Sequence, residues 1–270
     1  MYENKFRMTP ADNILFAKRN IIDSIYKEAK LEGIGVTFPD TYEIFNGRTV
    51  AGLSVDDTIK INNLKHAWEF VFETMGYPID LRYVRQLNTE IGRGVVLNEG
   101  MLRTEDVAIG GTTWKPSIPV QTEIEDFFSR INENQSASVT DKAIETMLFI
   151  MRSQMFYDGN KRTAQLAANK IMIEGGAGVI SIPVDCQVEF VHELIDYYES
   201  GDRSSITEFV YKNCVDGINS KNSIISGNAI SDKEDIRSTI ERFKKERSGT
   251  ERLSQEIVNE AESEKIEEQE

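Results

Sequence analysis

One stretch of this 270-residue chain gathers side chains suited to holding phosphate: Ser153-Gln154-Met155-Phe156-Tyr157-Asp158-Gly159-Asn160-Lys161-Arg162-Thr163-Ala164. Asp158-Gly159-Asn160 is turn chemistry, and a helix starts at about Asn160. The first N–H groups of a helix lack intrahelical acceptors and point out of its N-terminus, which makes that end an anion site. Gly159 permits close backbone approach to a ligand. Lys161 and Arg162 stand at a helix start, where the helix dipole disfavours cations by a few tenths of a kcal/mol. A bound phosphate offsets that cost. Asp158 supplies a hard oxygen ligand of the kind Mg²⁺ takes beside phosphate oxygens. The same residues also suit a turn followed by a helix with solvated cations, and their chemistry alone does not choose between the two.

The elements that hold this loop read as helices. Periodic apolar runs place one helix over 140–153 and another over 160–174, with six residues between them. Thr9-Pro10-Ala11-Asp12 is a start signal, with a hydroxyl cap and Pro at the first helical position. Ile14, Leu15, Ile21, Ile22 and Ile25 continue that helix to about Gly33. Ser54-Val-Asp-Asp57 opens another, whose Ile61, Leu64, Trp68, Val71, Phe72 and Met75 share a face as far as Gly76-Tyr-Pro78. Shorter amphipathic stretches follow around Leu81–Ile91 and Ile124–Ile131, and two more helices are expected near 186–199 and 204–215. Between 92 and 119 the periodicity fails. Five glycines puncture that segment, and Val107-Ala-Ile-Gly-Gly-Thr-Thr-Trp114 reads as a short hairpin. A connection of this length in a compact domain is usually functional. The expected organisation is all-α with a small β-hairpin: a helical domain over 1–215, a linker rich in Asn, Ser and Gly over 216–231, and a charged C-terminal arm over 232–270, helical or disordered.

Charge narrows the partners. The net charge is −14, and residues 251–270 hold eight Glu against Arg252 and Lys265, so nearly half the acidity belongs to the tail. Such a balance disfavours long nucleic acids, which require a basic face, and anionic lipid surfaces. The longest apolar run, Met147–Met151, is five residues, and the N-terminus lacks a signal-like apolar stretch. Cys186 and Cys214, without a CxxC pair, indicate neither a disulfide framework nor a zinc site, so a cytoplasmic, reducing setting is expected. His66 and His192 have no ligand-spaced partner. Trp68/Phe72 and Phe127/Phe128 sit at core spacing. Tyr197 and Tyr198 are expected half-buried at a helix end.

Phe156-Tyr157-Asp158-Gly159-Asn160-Lys161-Arg162-Thr163 resembles the signature loop of the Fic (Fido, Fic/DOC) family, H-x-F-x-[DE]-G-N-[GK]-R-x-x-R. Other segments agree in order. Leu31-Glu32-Gly33 with Thr37 is similar to the family's N-terminal element. Gly100-Met-Leu-Arg103, Val107–Gly111 and Trp114-Lys-Pro116 are similar to its flap hairpin, and Ile180-Ser-Ile-Pro183 also fits. The resemblance spans roughly residues 10–215. It implies an all-α fold that binds a nucleoside triphosphate with Mg²⁺ and usually transfers AMP from ATP to a hydroxyl of a protein target. By position, Asp158 holds Mg²⁺, Gly159 and Asn160 cradle the α-phosphate, and Arg162 contacts the outer phosphates, with Lys161 and Gln165 completing the nucleotide site. Phe156 anchors the loop. Gly110, Gly111, Thr112 and Thr113 align a target segment by β-augmentation.

Two positions depart from the pattern. Gln154 stands where the family has its general base, and an amide does not take up a proton near neutral pH; losing such a base costs about 10²–10⁴ in rate. Gln165 replaces the second arginine, removing one charged phosphate contact. Lys161 also occurs in the Doc-type toxins, which transfer phosphate. In the family a glutamate on the N-terminal element faces the second arginine and blocks productive ATP binding. Glu32 occupies that place, with Glu28 where Ser or Thr is expected, so its restraint would be a hydrogen bond to Gln165; a solvated helix-end carboxylate is the plain alternative. Three readings follow: an ATP-dependent transferase with impaired or altered catalysis, a non-catalytic Fic-like binding module, or a Doc-like phosphotransferase.

Overall fold

The computed structural model describes residues 2–218. Most of the expected linker and the whole C-terminal arm, 232–270, lie outside the described residues. Within them the chain is helical: α1 (Pro10–Arg19), α2 (Ile21–Leu31), α3 (Phe38–Phe45), α4 (Val55–Glu73), α5 (Leu81–Gly92), α6 (Gln121–Glu133), α7 (Val139–Ser153), α8 (Asn160–Glu174), α9 (Gln187–Ser200) and α10 (Ser204–Asn213). A 3₁₀ turn, Val184–Cys186, leads into α9. Among the described residues no helix is long and apolar enough to cross a membrane.

The start signals act as their chemistry dictates. Thr9 caps α1 by accepting from the Asp12 N–H at 3.1 Å, and Ser54 caps α4 by accepting from the Asp57 N–H at 3.0 Å. The single helix expected from 10 to about 33 is two. Asn20 breaks it: its side-chain amide donates to Phe16 O at 2.9 Å, competing with the helical ladder. Helix α3 went unread in the sequence, although Thr37 and Asp40 form a complete capping box at its start.

The core sits around α8, which is buried on all faces from Arg162 to Lys170. It packs most extensively on α7, with α1, α4 and α5 also against it. Polar groups on this helix are matched rather than excluded. Asn169 exchanges two hydrogen bonds with the Ile180 backbone, at 2.7 and 2.9 Å, and Lys170 pairs with Glu174. All-round burial explains why α8 shows no clear polar stripe.

The expected β-hairpin at 107–114 does not form. The described residues contain one two-stranded antiparallel sheet, β1 (Val179–Ile180) with β2 (Val215–Asp216), paired Val179 to Asp216 and Ile180 to Val215. Residues 101–120 carry only a turn at Gly110-Gly111 without strand pairing. An isolated two-stranded ribbon is marginal in water, and this one has no third strand to support it.

Candidate active site

The loop between α7 and α8 is built by side-chain bonds within itself. Helix α7 ends at Gln154, a non-glycine residue in the left-handed region at φ 44° and ψ 54°. Helix α8 begins at Asn160 behind Gly159, with no side chain capping it. Asn160 closes the intervening turn. Its Oδ1 accepts from the Phe156 N–H at 3.0 Å, and its Nδ2 donates to Phe156 O at 2.7 Å and to Gln154 Oε1 at 3.2 Å. The Asn160 side chain, expected at the α-phosphate, is thus engaged in bracing the loop, which leaves backbone N–H groups as the anion-facing part. Phe156 is buried and anchors the turn as expected.

Gly159 has φ 78°, and a Cβ there would lie 3.1 Å from both Asn88 Nδ2 and Ile91 Cγ2. The close approach that Gly159 allows is therefore to α5. Asn88, buried there, donates to Asp158 O at 3.0 Å and Thr163 Oγ1 at 3.1 Å, and accepts from the Gly100 N–H at 2.9 Å. One amide thereby joins α5, the loop, the start of α8 and the chain leading to the flap.

Gln154, at the base position, has both halves of its amide occupied. Its Oε1 accepts from Asn160, and its Nε2 donates to Met151 O at 2.6 Å and, at 3.4 Å, to the Tyr198 hydroxyl. Burial, opposed by the Gln154 hydrogen bond, raises the Tyr198 pKa above the ordinary phenol value, so its hydroxyl stays protonated. His66 on α4 and His192 on α9 are exposed and do not line the cleft described next, so neither substitutes for the missing base.

Above the loop lies a cleft of about 350 Å³. Glu32, Gln154, Asp158, Gly159, Asn160 and Lys161 form its polar floor, and Ile109, Val191, Leu194 and Ile195 give it an apolar wall. A cavity of this size, with an apolar wall and a polar floor formed by Lys161, two carboxylates and the start of α8, suits a small polar molecule with an apolar part. The Asp158 carboxyl is 55 % exposed, and Oδ1 accepts from the Gly159 N–H at 2.5 Å and from Arg162 Nη2 at 3.2 Å. Its other oxygen has no protein partner. Among the described residues no three His, Cys, Asp or Glu cluster to hold a metal by themselves. Asp158 thus fits Mg²⁺ only in the manner of a single carboxylate that leaves the remaining positions to phosphate and water.

Glu32 does not take the expected partner. It ends α2 with Oε2 3.5 Å from Arg162 Nε and Oε1 3.4 Å from Lys161 Nζ. Gln165 is buried, its amide 3.5 Å from Lys161 O and outside the cleft lining. Glu32 therefore pairs with Arg162, at the start of α8, and not with Gln165. Arg162 is 2 % exposed, and its Nε and Nη1 have no hydrogen-bond acceptor. Glu28, one turn before Glu32, is buried with Oε2 unpartnered. Burial pushes its pKa up to about 8, against the opposing pull of Trp68 and Arg162, while the Glu32 charge adds to the rise.

The flap that borders the cleft is pinned on its C-terminal side at Thr112 and Trp114. Trp114 stacks on Tyr198 at 5.6 Å between ring centroids, with the Arg152 guanidinium 4.8 Å from the Trp114 ring. Thr112 Oγ1 donates to Glu199 at 2.6 Å, while Gly110, Gly111 and Thr113 are exposed. Tyr198, expected as a half-buried helix-end residue, is buried and shared by cleft and flap. Sequence reading also missed Asn88, the work of Arg103 and the apolar wall of α9; the spacing of Val191, Leu194 and Ile195 was the available signal for the last.

Residues 78–172 match the model of the Fic/DOC family. Among solved structures, Fic-1 from C. elegans is similar with a TM-score of 0.67 and 20% identity, over 75% of this chain and 62% of that one. A Fic family protein from Desulfovibrio desulfuricans gives 0.62 and 16%, over 72% and 62%. A Fic domain containing signaling protein from Bacteroides thetaiotaomicron gives 0.62 and 18%, over 76% and 85%. The chain thus spans about 62% of the length of the first two. At these identities the likeness is one of fold. No curated protein matches the sequence. The match to the Fic/DOC family runs across α5, the flap, the α7–α8 loop and most of α8, and leaves out Glu32 and the α9 wall of the cleft.

Proposed function

We propose that this chain binds ATP with Mg²⁺ in the α7–α8 cleft and transfers AMP to a hydroxyl of a protein target, slowly because no general base stands at the reacting position. The observation that carries this reading is the cleft itself, where the uncapped N-terminus of α8, Lys161 and Asp158 share a floor beneath an apolar wall. The wall receives the nucleoside. Backbone N–H groups at Asn160 and Lys161 take phosphate oxygens, and Arg162 takes the outer phosphates once Glu32 yields. Asp158 is the residue that would hold Mg²⁺, which when bound would offset part of the phosphate charge. In the transfer, the target oxygen bonds to the α-phosphorus, the bond from that phosphorus to the β-phosphate bridge breaks, and pyrophosphate leaves. The hydroxyl proton goes to water, since Gln154 offers no site for it. Gly110 to Thr113 present the backbone edge on which an extended target segment docks.

A second reading is a binding module that holds nucleotide without transfer. The engagement of both ends of the Gln154 amide favours it. Incubation with ATP labelled at the α- or the γ-phosphate, using wild type and Asp158→Ala, decides. α-label on protein, lost in Asp158→Ala, supports AMP transfer; γ-label supports Doc-like phosphate transfer. Heat on titration with Mg·ATP without label transfer supports the binding module. Neither heat nor label overturns the nucleotide assignment.

A further inference from the structure

Residues 101–120 have no ladder of their own, yet one side chain gathers both ends of the segment. Arg103 is 1 % exposed, and its guanidinium bonds main-chain carbonyls in every direction. Nε donates to Gln154 O at 2.6 Å, Nη1 to Glu105 O at 2.8 Å, and Nη2 to Pro116 O at 3.2 Å and to Ser117 O. Its own backbone N–H donates to Met155 O at 2.9 Å. Arg103 does not line the cleft. A buried cation is costly unless its donors are matched, and here carbonyls match them in place of a carboxylate.

The choice of carbonyls is informative. Those of Glu105, Pro116 and Ser117 bracket the flap, whereas that of Gln154 belongs to the nucleotide loop. Gln154 is the residue held at φ 44°, a conformation that is disfavoured for a non-glycine residue. The Arg103 bond at its carbonyl and the Asn160 bond at its side chain hold it there. A second strap runs parallel: the Tyr157 hydroxyl accepts from the Thr104 N–H at 3.2 Å, and Tyr157 lines the cleft. A guanidinium is a rigid planar fork, so displacing one of its acceptors re-aims the donors to the others. The outer flap adds the Trp114–Tyr198 stack, the Arg152 guanidinium over Trp114 and the exposed Thr112–Glu199 bond.

We infer that Arg103 is a positioning residue that makes order in the flap depend on the nucleotide loop, so that nucleotide binds first and the protein target second. This rests on the nucleotide and flap assignments above. A nucleotide that fixes residues 154–159 fixes the Gln154 carbonyl, through it the guanidinium, and through that both ends of the docking edge. The target then meets an edge whose ordering cost has already been met.

Hydrogen exchange on the full chain tests this, with Mg·AMPPNP as the probe. In wild type the probe is expected to slow amide exchange severalfold in residues 154–159 and in 104–117. In Arg103→Lys, which keeps the charge but not the fork, slowing persists at 154–159 and is lost at 104–117. Tyr157→Phe, which cuts only the second strap, lowers the flap response without abolishing it. A measurement on wild type covers the case in which Arg103→Lys fails to fold: the Arg103 Nε–H proton, followed by NMR, exchanges more slowly in step with the flap amides. Flap slowing undiminished in Arg103→Lys, flap amides indifferent to a probe that protects 154–159, or an Nε–H indifferent to it would each overturn the inference. No heat on titration with the probe, and no protection in either segment, would remove the nucleotide assignment and this inference with it.

Discussion

The Glu32 carboxylate lies 3.5 Å from Arg162 Nε, while the same guanidinium reaches Asp158 Oδ1 at 3.2 Å through Nη2. Arg162 is therefore held between the end of α2 and the residue assigned to the metal. With Gln165 in place of a second arginine, this one guanidinium carries the charge that elsewhere in the family pattern is divided between two. Under the proposed nucleotide reading, the groups that Glu32 occupies are withheld from phosphate.

Glu32→Ala is expected to tighten binding of Mg·AMPPNP by about 5- to 20-fold, corresponding to about 1–2 kcal/mol, because it frees Arg162 and Lys161 together. The same change leaves a buried arginine with one carboxylate fewer, so the melting temperature falls as affinity rises. Titration calorimetry and thermal unfolding on one sample check both directions. Affinity equal to or weaker than wild type counts against a restraint by Glu32.

Gln154→His is expected to raise AMP transfer by about 10²–10⁴-fold, the usual worth of a positioned base. Histidine is among the residues that tolerate the left-handed backbone found here. Initial rates with α-labelled ATP, alone and combined with Asp158→Ala, measure it. A rate unchanged in the single variant indicates that the cleft lacks more than its base.

Glu28 imposes a pH dependence on stability. Its carboxyl ionises near the ordinary 4.5 in the unfolded chain and at about 8 in the fold. The native state then holds more protons through this window, so its contribution is fully present below about pH 4.5 and is lost as pH rises through 8. Glu28→Gln, which cannot ionise, is expected to flatten the stability profile between pH 5 and 8 and to exceed wild type by a few kcal/mol above pH 8. Urea unfolding at intervals across that range measures it; parallel profiles for the two proteins contradict the burial of an ionisable Glu28.

Asn88→Ala removes the joint between α5, Asp158 O, Thr163 Oγ1 and the Gly100 N–H. Leaving those buried groups without partners is expected to cost about 2–4 kcal/mol. The urea midpoint falls while the slope is retained, and nucleotide affinity falls with it because the Asp158 backbone is released. A loss below 0.5 kcal/mol, the level of an ordinary surface change, would show that water replaces the amide.

Helices α4 to α10 were legible because their information is local: caps at Ser54 and Ser138, apolar periodicity, and glycines at 159 and 201 where φ is positive. The break at Asn20 was not, since whether a mid-pattern asparagine bonds back on its own helix depends on how α1 and α2 pack. The flap hairpin failed for a related reason. Alternation and a Gly-Gly turn signal strand propensity, whereas pairing requires partners on an edge, and here the flap is held by Arg103, Trp114 and Thr112.

The site divides in the same way. Loop residues Asp158, Gly159, Asn160, Lys161 and Arg162 were readable, because a turn between two strongly apolar helices places them at one helix start whatever surrounds it. The sequence alone determined that start, the charges it carries and the absence of a base at Gln154. Tertiary structure alone decided that Glu32 takes Arg162 rather than Gln165, that Tyr198 is shared by cleft and flap, and that Arg103 joins flap to loop. Those pairs lie 44 to 130 residues apart. Which of two polar groups meets a buried charge over such a span is set by side-chain reach and by the packing of whole helices, neither of which is written in local spacing.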